Sequence, residues 1–303
     1  MIESKAAGHA AALTANLFFG LNMPVAKGLL SGWMTPMGFT LSRILPAVAI
    51  FWGASPFFSR EHVSRRDLLI IALGGFLGFI ASQFLFALSL QYTTPVNYAM
   101  IVALSPVVVM LMAAVALHEP ITRMKSLGVA LGVAGAGLLI LRAHSGGSGG
   151  NDLLGILLAF LSVCGYSLYL LITRTVSQRY APVTLMRWLF LFTAMMLLPF
   201  GAADLPMQRI YTSEATWQAA ALLAYIVICS TAIGYSLMPV ALKRLRATTV
   251  SIYMNLQPIV AAMASIAIGQ DTFTWDKPVA AVLVLAGAYV VTQSPARRGE
   301  SPQ

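Results

Sequence analysis

The chain has 303 residues, 58% of them hydrophobic and only 10% charged, with a formal net charge of +9 and a mean hydropathy of +0.80. A soluble domain carries roughly a quarter charged residues, so this composition excludes a water-soluble globule and makes lipid the solvent. The positive charge does not make a nucleic-acid binder, because the Lys and Arg residues sit in short gaps between apolar runs rather than on one polar face.

About ten runs approach the roughly 20 apolar residues that a bilayer needs. They fall near 7–29, 35–57, 68–90, 94–117, 125–142, 152–174, 182–203, 217–241, 246–268 and 277–294. The first is too long for the apolar part of a signal peptide and has no cleavage site before a polar domain. Between the fifth and sixth runs lies Ser145-Gly146-Gly147-Ser148-Gly149-Gly150, a flexible linker by composition. It matches G-x-S-x-G, but that hydrolase motif needs a preceding strand, and here it follows a membrane span. Cys164 and Cys229 sit inside apolar runs, without metal or redox spacing, and behave as small hydrophobes.

Placing the N-terminus inside puts the basic clusters, such as Arg60, Arg65 and Arg66 or Lys243, Arg244 and Arg246, in inside gaps. The outside gaps then hold only Arg142, Arg209 and Lys277. This bias predicts cytoplasmic termini. The chain also repeats itself. A shift of 152 positions carries Pro106 onto Pro258, Glu119 onto Asp271, Thr122 onto Thr274 and Gly135 onto Gly287, which means duplication. Five spans per copy is an odd number, so the second copy enters the lipid from the opposite side. The expected units are a first repeat over 1–145, an inverted second repeat over 151–297 and a cytoplasmic tail over 298–303. Gln91, Tyr92 and Thr94, in an outside gap, align with Lys243, Arg244 and Arg246, in an inside gap.

These residues resemble a known family. Phe19-Gly20-Leu21-Asn22, Phe39-x-x-x-Arg43, Leu104-Ser105-Pro106 and Glu119-Pro120-Ile121-Thr122 look like the EamA-type transporters of the drug/metabolite transporter superfamily. The second half carries Cys164-Gly165-Tyr166-Ser167, Thr231-Ala232-Ile233-Gly234-Tyr235 and Leu256-Gln257-Pro258. The resemblance runs from about Ala10 to Thr292, with Asp271 in place of the usual Glu. It implies an all-α integral membrane protein of about ten transmembrane helices in two inverted five-helix repeats. It also implies export of small metabolites, often amino acids or their derivatives, across a bacterial inner membrane.

Polar side chains at mid-span need a protein interior or a wet cavity. The 152 offset pairs Gln83 with Tyr235, Ser105 with Gln257 and Phe79 with Thr231. Phe79 and Gln83, Thr231 and Tyr235, and Tyr253 and Gln257 are each four apart and share a helical face; Asn255 lies close by. Asn22 corresponds to Ser167, beside Tyr166 and Tyr169. In the resembled family these spans line a central cavity, so the expected substrate contacts are Asn22, Phe79, Gln83, Ser105, Tyr166, Thr231, Tyr235, Tyr253, Asn255 and Gln257, with aromatic walls that include Phe18. The same groups also serve as bonds between helices, and sequence leaves both roles open.

Pro106 and Pro258, in the middle of spans four and nine, are expected kinks, either as hinges or as fixed bends. Arg43 and Arg187 occupy similar places in the two copies, as do Lys27 and Arg174. Each either snorkels or meets an anion, and Arg43 is the deepest candidate anion contact. Glu119 and Asp271 read as turn and cap residues. All ten acidic residues lie near gaps or termini, so no mid-depth carboxylate is available as a proton relay. Gly74-x-x-x-Gly78 and Gly128-x-x-x-Gly132 allow close helix approach, and Gly128 to Gly137 suits either internal packing or a homodimer seam. No metal, cofactor or nucleic acid is expected; the partners are a small-molecule substrate and the lipid bilayer. The leading reading is a secondary transporter, most simply an exporter, that alternates between its repeats. The alternative is a passive channel. An intramembrane enzyme would need paired Asp or a zinc motif at depth, and the sequence has neither.

Overall fold

The computed structural model describes residues 2–58, 61–117, 123–145, 151–245, 249–250, 253–271 and 273–293, and among them every regular element is helical. In chain order these are α1 (Ile2–Leu30), α2 (Pro36–Ala54), α3 (Arg65–Tyr92), α4 (Pro95–Val102), α5 (Ser105–Leu117) and α6 (Arg123–Ser145), then α7 (Asn151–Ser177), α8 (Pro182–Gly201), α9 (Trp217–Arg244), α10 (Leu256–Ala267) and α11 (Asp276–Gln293). Among the described residues six helical stretches are long and apolar enough to cross a membrane, and α6, α10 and α11 hold shorter apolar stretches. Asn16, Asn22 and Lys27 dilute the apolar run of α1.

Local chemistry sets the helix starts. The hydroxyls of Thr35, Ser64, Thr94 and Thr216 accept from backbone N–H groups three residues on, which satisfies donors that have no partner within the helix. Proline follows immediately at Pro36, Pro95 and Pro182, where its fixed φ suits the first turn and its missing N–H costs nothing. The caps Ser64 and Thr216 stand at the sequence offset of 152, and α3 and α9 keep that offset at both ends.

The direction of each helix fixes the inversion. We call the end of the bundle where α1 begins the near end. Lys27, late in α1, donates to the carbonyls of Leu90 and Thr93 at the end of α3, so α1 and α3 reach the far end together. Gly155, early in α7, packs against Thr93, so α7 starts at the far end. Gln178, just past α7, donates to Leu242 O late in α9 (2.9 Å), and Gly8 of α1 lies against Arg244 there. Helices α1 and α7 therefore run in opposite directions, as an inverted duplication requires. Packing obeys the same exchange: α1 rests on α9 and α10, α7 rests on α3 and α5, and the pairs α2 with α8 and α6 with α11 each map onto themselves.

Two features depart from plain α-helix. Residues Phe76–Phe84 of α3 and Ile226–Gly234 of α9 form wide π turns. Both wide turns carry i→i+5 bonds, a geometry common at functional sites. The fourth and ninth spans are each broken in two. The breaks fall at Ala103–Leu104, and at Met254–Asn255 before α10. Pro106 and Pro258 thus lie in the first turn of α5 and of α10, where a proline does not disrupt the ladder. The bend comes from the two-residue break before each proline, not from a kink inside a continuous helix. Glu119 and Thr122 lie outside the described residues, and Asp271 sits in the turn between α10 and α11.

Candidate functional site

The six helices α1, α3, α4, α7, α9 and α10 surround one central cavity. Its walls are Phe19, Asn22 and Met23 from α1, Ser82, Gln83 and Phe86 from α3, Tyr98 and Val102 from α4, Val163 and Tyr166 from α7, Tyr235 from α9, and Met254 and Gln257 beside and on α10. The free space is about 40 Å³, enough for roughly three waters. No acidic side chain lines it.

Five predicted contacts meet here: Asn22, Gln83, Tyr166, Tyr235 and Gln257. Asn22 Oδ1 and the Tyr166 hydroxyl are buried without a hydrogen-bond partner, although burying such groups unpaired is costly. Gln257 Nε2 donates to Asn16 Oδ1 (2.5 Å), and Asn16 Nδ2 donates to Ala12 O (2.8 Å). The other five predicted residues stand elsewhere. Phe79 lies one layer behind, between the rings of Tyr235 (4.6 Å) and Phe190 (4.7 Å). Thr231 accepts from Arg43 Nε (3.0 Å) and donates to Ile226 O (2.8 Å). The Ser105 hydroxyl bonds Val102 O (2.5 Å). Tyr253 meets His9 Nδ1 (2.7 Å) near the start of α1, and Asn255 precedes α10 as its cap residue.

On each wide turn the residue at or just past its end, Gln83 or Tyr235, reaches the cavity, while Phe79 and Thr231, four residues earlier, stand behind the wall. The wall on α1 is Phe19 rather than Phe18, whose ring packs edge-on against Tyr225 (6.5 Å). Tyr98 was not foreseen. Its hydroxyl pairs with Ser162 Oγ (3.0 Å), which donates to Ser82 O (2.9 Å). Both are polar and mid-span, which was a usable signal, but the 152 offset takes Tyr98 onto the apolar Val250.

Arg43 is the largest fully buried side chain. Its guanidinium donates through Nη1 to Gln83 Oε1 (2.8 Å), through Nε to Thr231 Oγ1 (3.0 Å) and through Nη2 to Ser230 Oγ (3.5 Å). The Phe39 and Tyr235 rings lie 5.7 and 5.8 Å from its centre. Every hydrogen-bond acceptor is neutral. Arg187, its expected counterpart, stacks instead on Trp52 (5.6 Å) and Trp188 (5.8 Å) and is only half-buried.

Contacts between the halves join the bundle at both of its ends. At the near end the Ala181 N–H donates to both Glu61 oxygens (3.1 and 2.9 Å). Asp67 accepts there from Arg179 (3.0 and 3.3 Å) and from the Tyr180 hydroxyl (2.7 Å). At the far end the Thr35 N–H donates to Gln208 Oε1 (2.7 Å), and the Thr35 hydroxyl donates to Asp204 (2.5 Å). These two latches correspond. Thr35 and Ala181 each precede the proline that opens a helix, α2 or α8. Glu61 and Gln208 each lie seven residues past the end of that same helix, after Ala54 and Gly201.

A ten-span inverted repeat around a polar and aromatic cavity defines the class: a multi-pass membrane protein with the architecture of a transporter. The EamA-like transporter family model matches residues 6–141 and again 153–293, so the chain belongs to that family. Family membership points to a transporter and not to an enzyme. An uncharacterized transporter of Bacillus subtilis (strain 168), YyaM, is 24% identical over 289 residues, covering 90% of this chain and 89% of its own. An uncharacterized transporter of Archaeoglobus fulgidus is 22% identical over 84% of this chain and 86% of its own. A solved structure described only as a crystal structure of a protein shares the fold, with a TM-score of 0.65 at 18% identity over 96% of this chain and 97% of that one.

Proposed function

We propose that this transporter moves a small amphipathic metabolite, an amino acid or a related solute, out of the cell by alternating access between its two inverted repeats. One observation carries the reading: corresponding latches, Glu61 with Ala181 and Gln208 with Thr35, tie the two halves together at opposite ends of the bundle that holds the cavity. Opening either while the other holds exposes Asn22, Gln83, Tyr166, Tyr235 and Gln257 to one side only. The cavity suits a solute with one polar end, because amide and hydroxyl groups stand among Phe19, Phe86 and Met254. A void of about 40 Å³ is too small for such a solute, so the helices around it have to part to admit one. A passive channel is disfavoured, since it has no use for a latch at each end. Charge bias supports a cytoplasmic near end, in what we read as a bacterial inner membrane.

The test is counterflow in proteoliposomes holding the purified protein, with a panel of amino acids, amines and nucleosides, each with and without a pH gradient. Saturable exchange of a labelled solute against its unlabelled form supports the reading. Flux that neither saturates nor exchanges would favour the channel.

A further inference from the structure

Arg43 sits at the centre of the bundle, wholly buried, and a guanidinium does not give up its proton. A lone buried charge is strongly unfavourable unless it is paired. Glu61, Asp67, Asp204 and Glu214 all lie at the bundle ends, bound to other groups. What holds the guanidinium is a set of neutral oxygens, and two of them belong to Gln83 and Thr231 at the back of the cavity wall. Since Gln83 turns its Oε1 toward Arg43, its amide N–H groups face the other way. The cavity is therefore rich in donors and lacks a carboxylate. Its ring of aromatic faces would attract a cation, but a fixed positive charge one side chain away opposes one.

Resting on the transport reading above, we infer that the substrate carries net negative charge, as a small amphipathic carboxylate, and that Arg43 is its counter-charge. In the closed state Gln83 Oε1 occupies the place of one carboxylate oxygen. When the cavity widens, the carboxylate replaces it on the guanidinium as a charge-assisted pair. Arg43 does not cross the membrane with the solute, so each cycle moves one negative charge. A cell interior at about −100 mV then drives the anion outward, with an equilibrium gradient of about fiftyfold. Export of this kind needs no proton relay, in keeping with a bundle whose carboxylates stand at its ends.

The experiment uses the full chain in proteoliposomes with a potassium–valinomycin potential and three probes of one shape: phenyllactate (anion), phenylalanine (zwitterion) and phenylalaninol (cation). Efflux above protein-free vesicles should follow the order anion, zwitterion, cation, and an interior-negative potential should accelerate the anion alone. Arg43→Gln should lower phenyllactate flux roughly ten- to a hundredfold, the loss of one charge-assisted pair. Gln83→Glu should do the same by supplying the guanidinium with an internal carboxylate, while raising the melting temperature in detergent. That second variant decides the matter if Arg43→Gln does not fold. Phenylalaninol or phenylalanine moving in preference to phenyllactate overturns the anion assignment and leaves the transporter standing. Phenyllactate flux that ignores both substitutions has the same effect. No flux of any probe above protein-free vesicles removes both readings together.

Discussion

At the scale of single residues, buried polar atoms divide into those that hold helices together and those that face the void. Tyr98, Ser162 and Ser82 form a chain of two bonds across α4, α7 and α3. Tyr98→Phe removes one bond and leaves Ser162 still donating, so it should cost about 1 kcal/mol. Ser162→Ala removes both bonds and leaves the buried Tyr98 hydroxyl without its partner, while the Ser82 carbonyl keeps the Leu85 N–H, and should cost about 1–3 kcal/mol. Thermal denaturation in detergent ranks the two; equal losses would contradict the chain. Asn22 Oδ1 and Tyr166 OH, by contrast, have no partner to lose. Asn22→Leu and Tyr166→Phe should keep or raise the melting temperature while reducing flux. Much of this was legible in advance: Asn22, Gln83, Tyr166, Tyr235 and Gln257 follow from the rule that polar groups at mid-span need a wet or protein surround. Phe79 and Thr231 stand behind the cavity wall and Phe18 is one position from the wall residue Phe19, distinctions that depend on how each helix is rotated against its neighbours.

At the scale of elements, the two wide turns decide which side chains meet. The one in α3 is packed closely on its neighbour: Gly165 of α7 lies against the Ala81 and Leu77 carbonyls of α3, where an added Cβ would come within 3.0 and 3.1 Å. Gly165→Val should therefore push α7 away from α3 and cost about 1–3 kcal/mol, read as lost monodisperse protein. Ile228 lies in the wide turn of α9 and faces outward. Its deletion takes one residue out of the wide turn and should restore a regular α turn there. Folded yield should survive and flux should fall, because Tyr235 and Thr231 lose their register. The sequence offset of 152 holds at the ends of α3 and α9, yet the wide turns begin at Phe76 and Ile226, two residues short of that register. No propensity scale marks such a turn, since it is set by packing between helices. The breaks before α5 and α10 were legible as prolines, but a proline alone does not say whether the helix bends through it or restarts just ahead of it.

At the scale of the whole molecule, duplication gives two halves with the same shape and unequal latches. The near latch is charged, through Glu61, Asp67 and Arg179, whereas the far latch joins Asp204 and the neutral Gln208 to Thr35. Weakening one should shift the population toward openness on that side. A cysteine in place of Met254, on the cavity wall, reports this by labelling with membrane-impermeant maleimide. Asp67→Asn should speed labelling from the near side, and Gln208→Ala from the far side. Labelling that rises on both sides for either change would mean that the ends are not coupled.

Each latch includes one bond whose donor is a main-chain group, the N–H of Thr35 to Gln208 or the N–H of Ala181 to Glu61. No ordinary side-chain replacement at those two positions deletes them. The halves are thus hung on fixed pins, and only the hooks at 61 and 208 are open to change. A lineage that needs a carrier resting with its mouth on the other side has to rewrite just those hooks, and the pins, like the pathway between them, stay as they were.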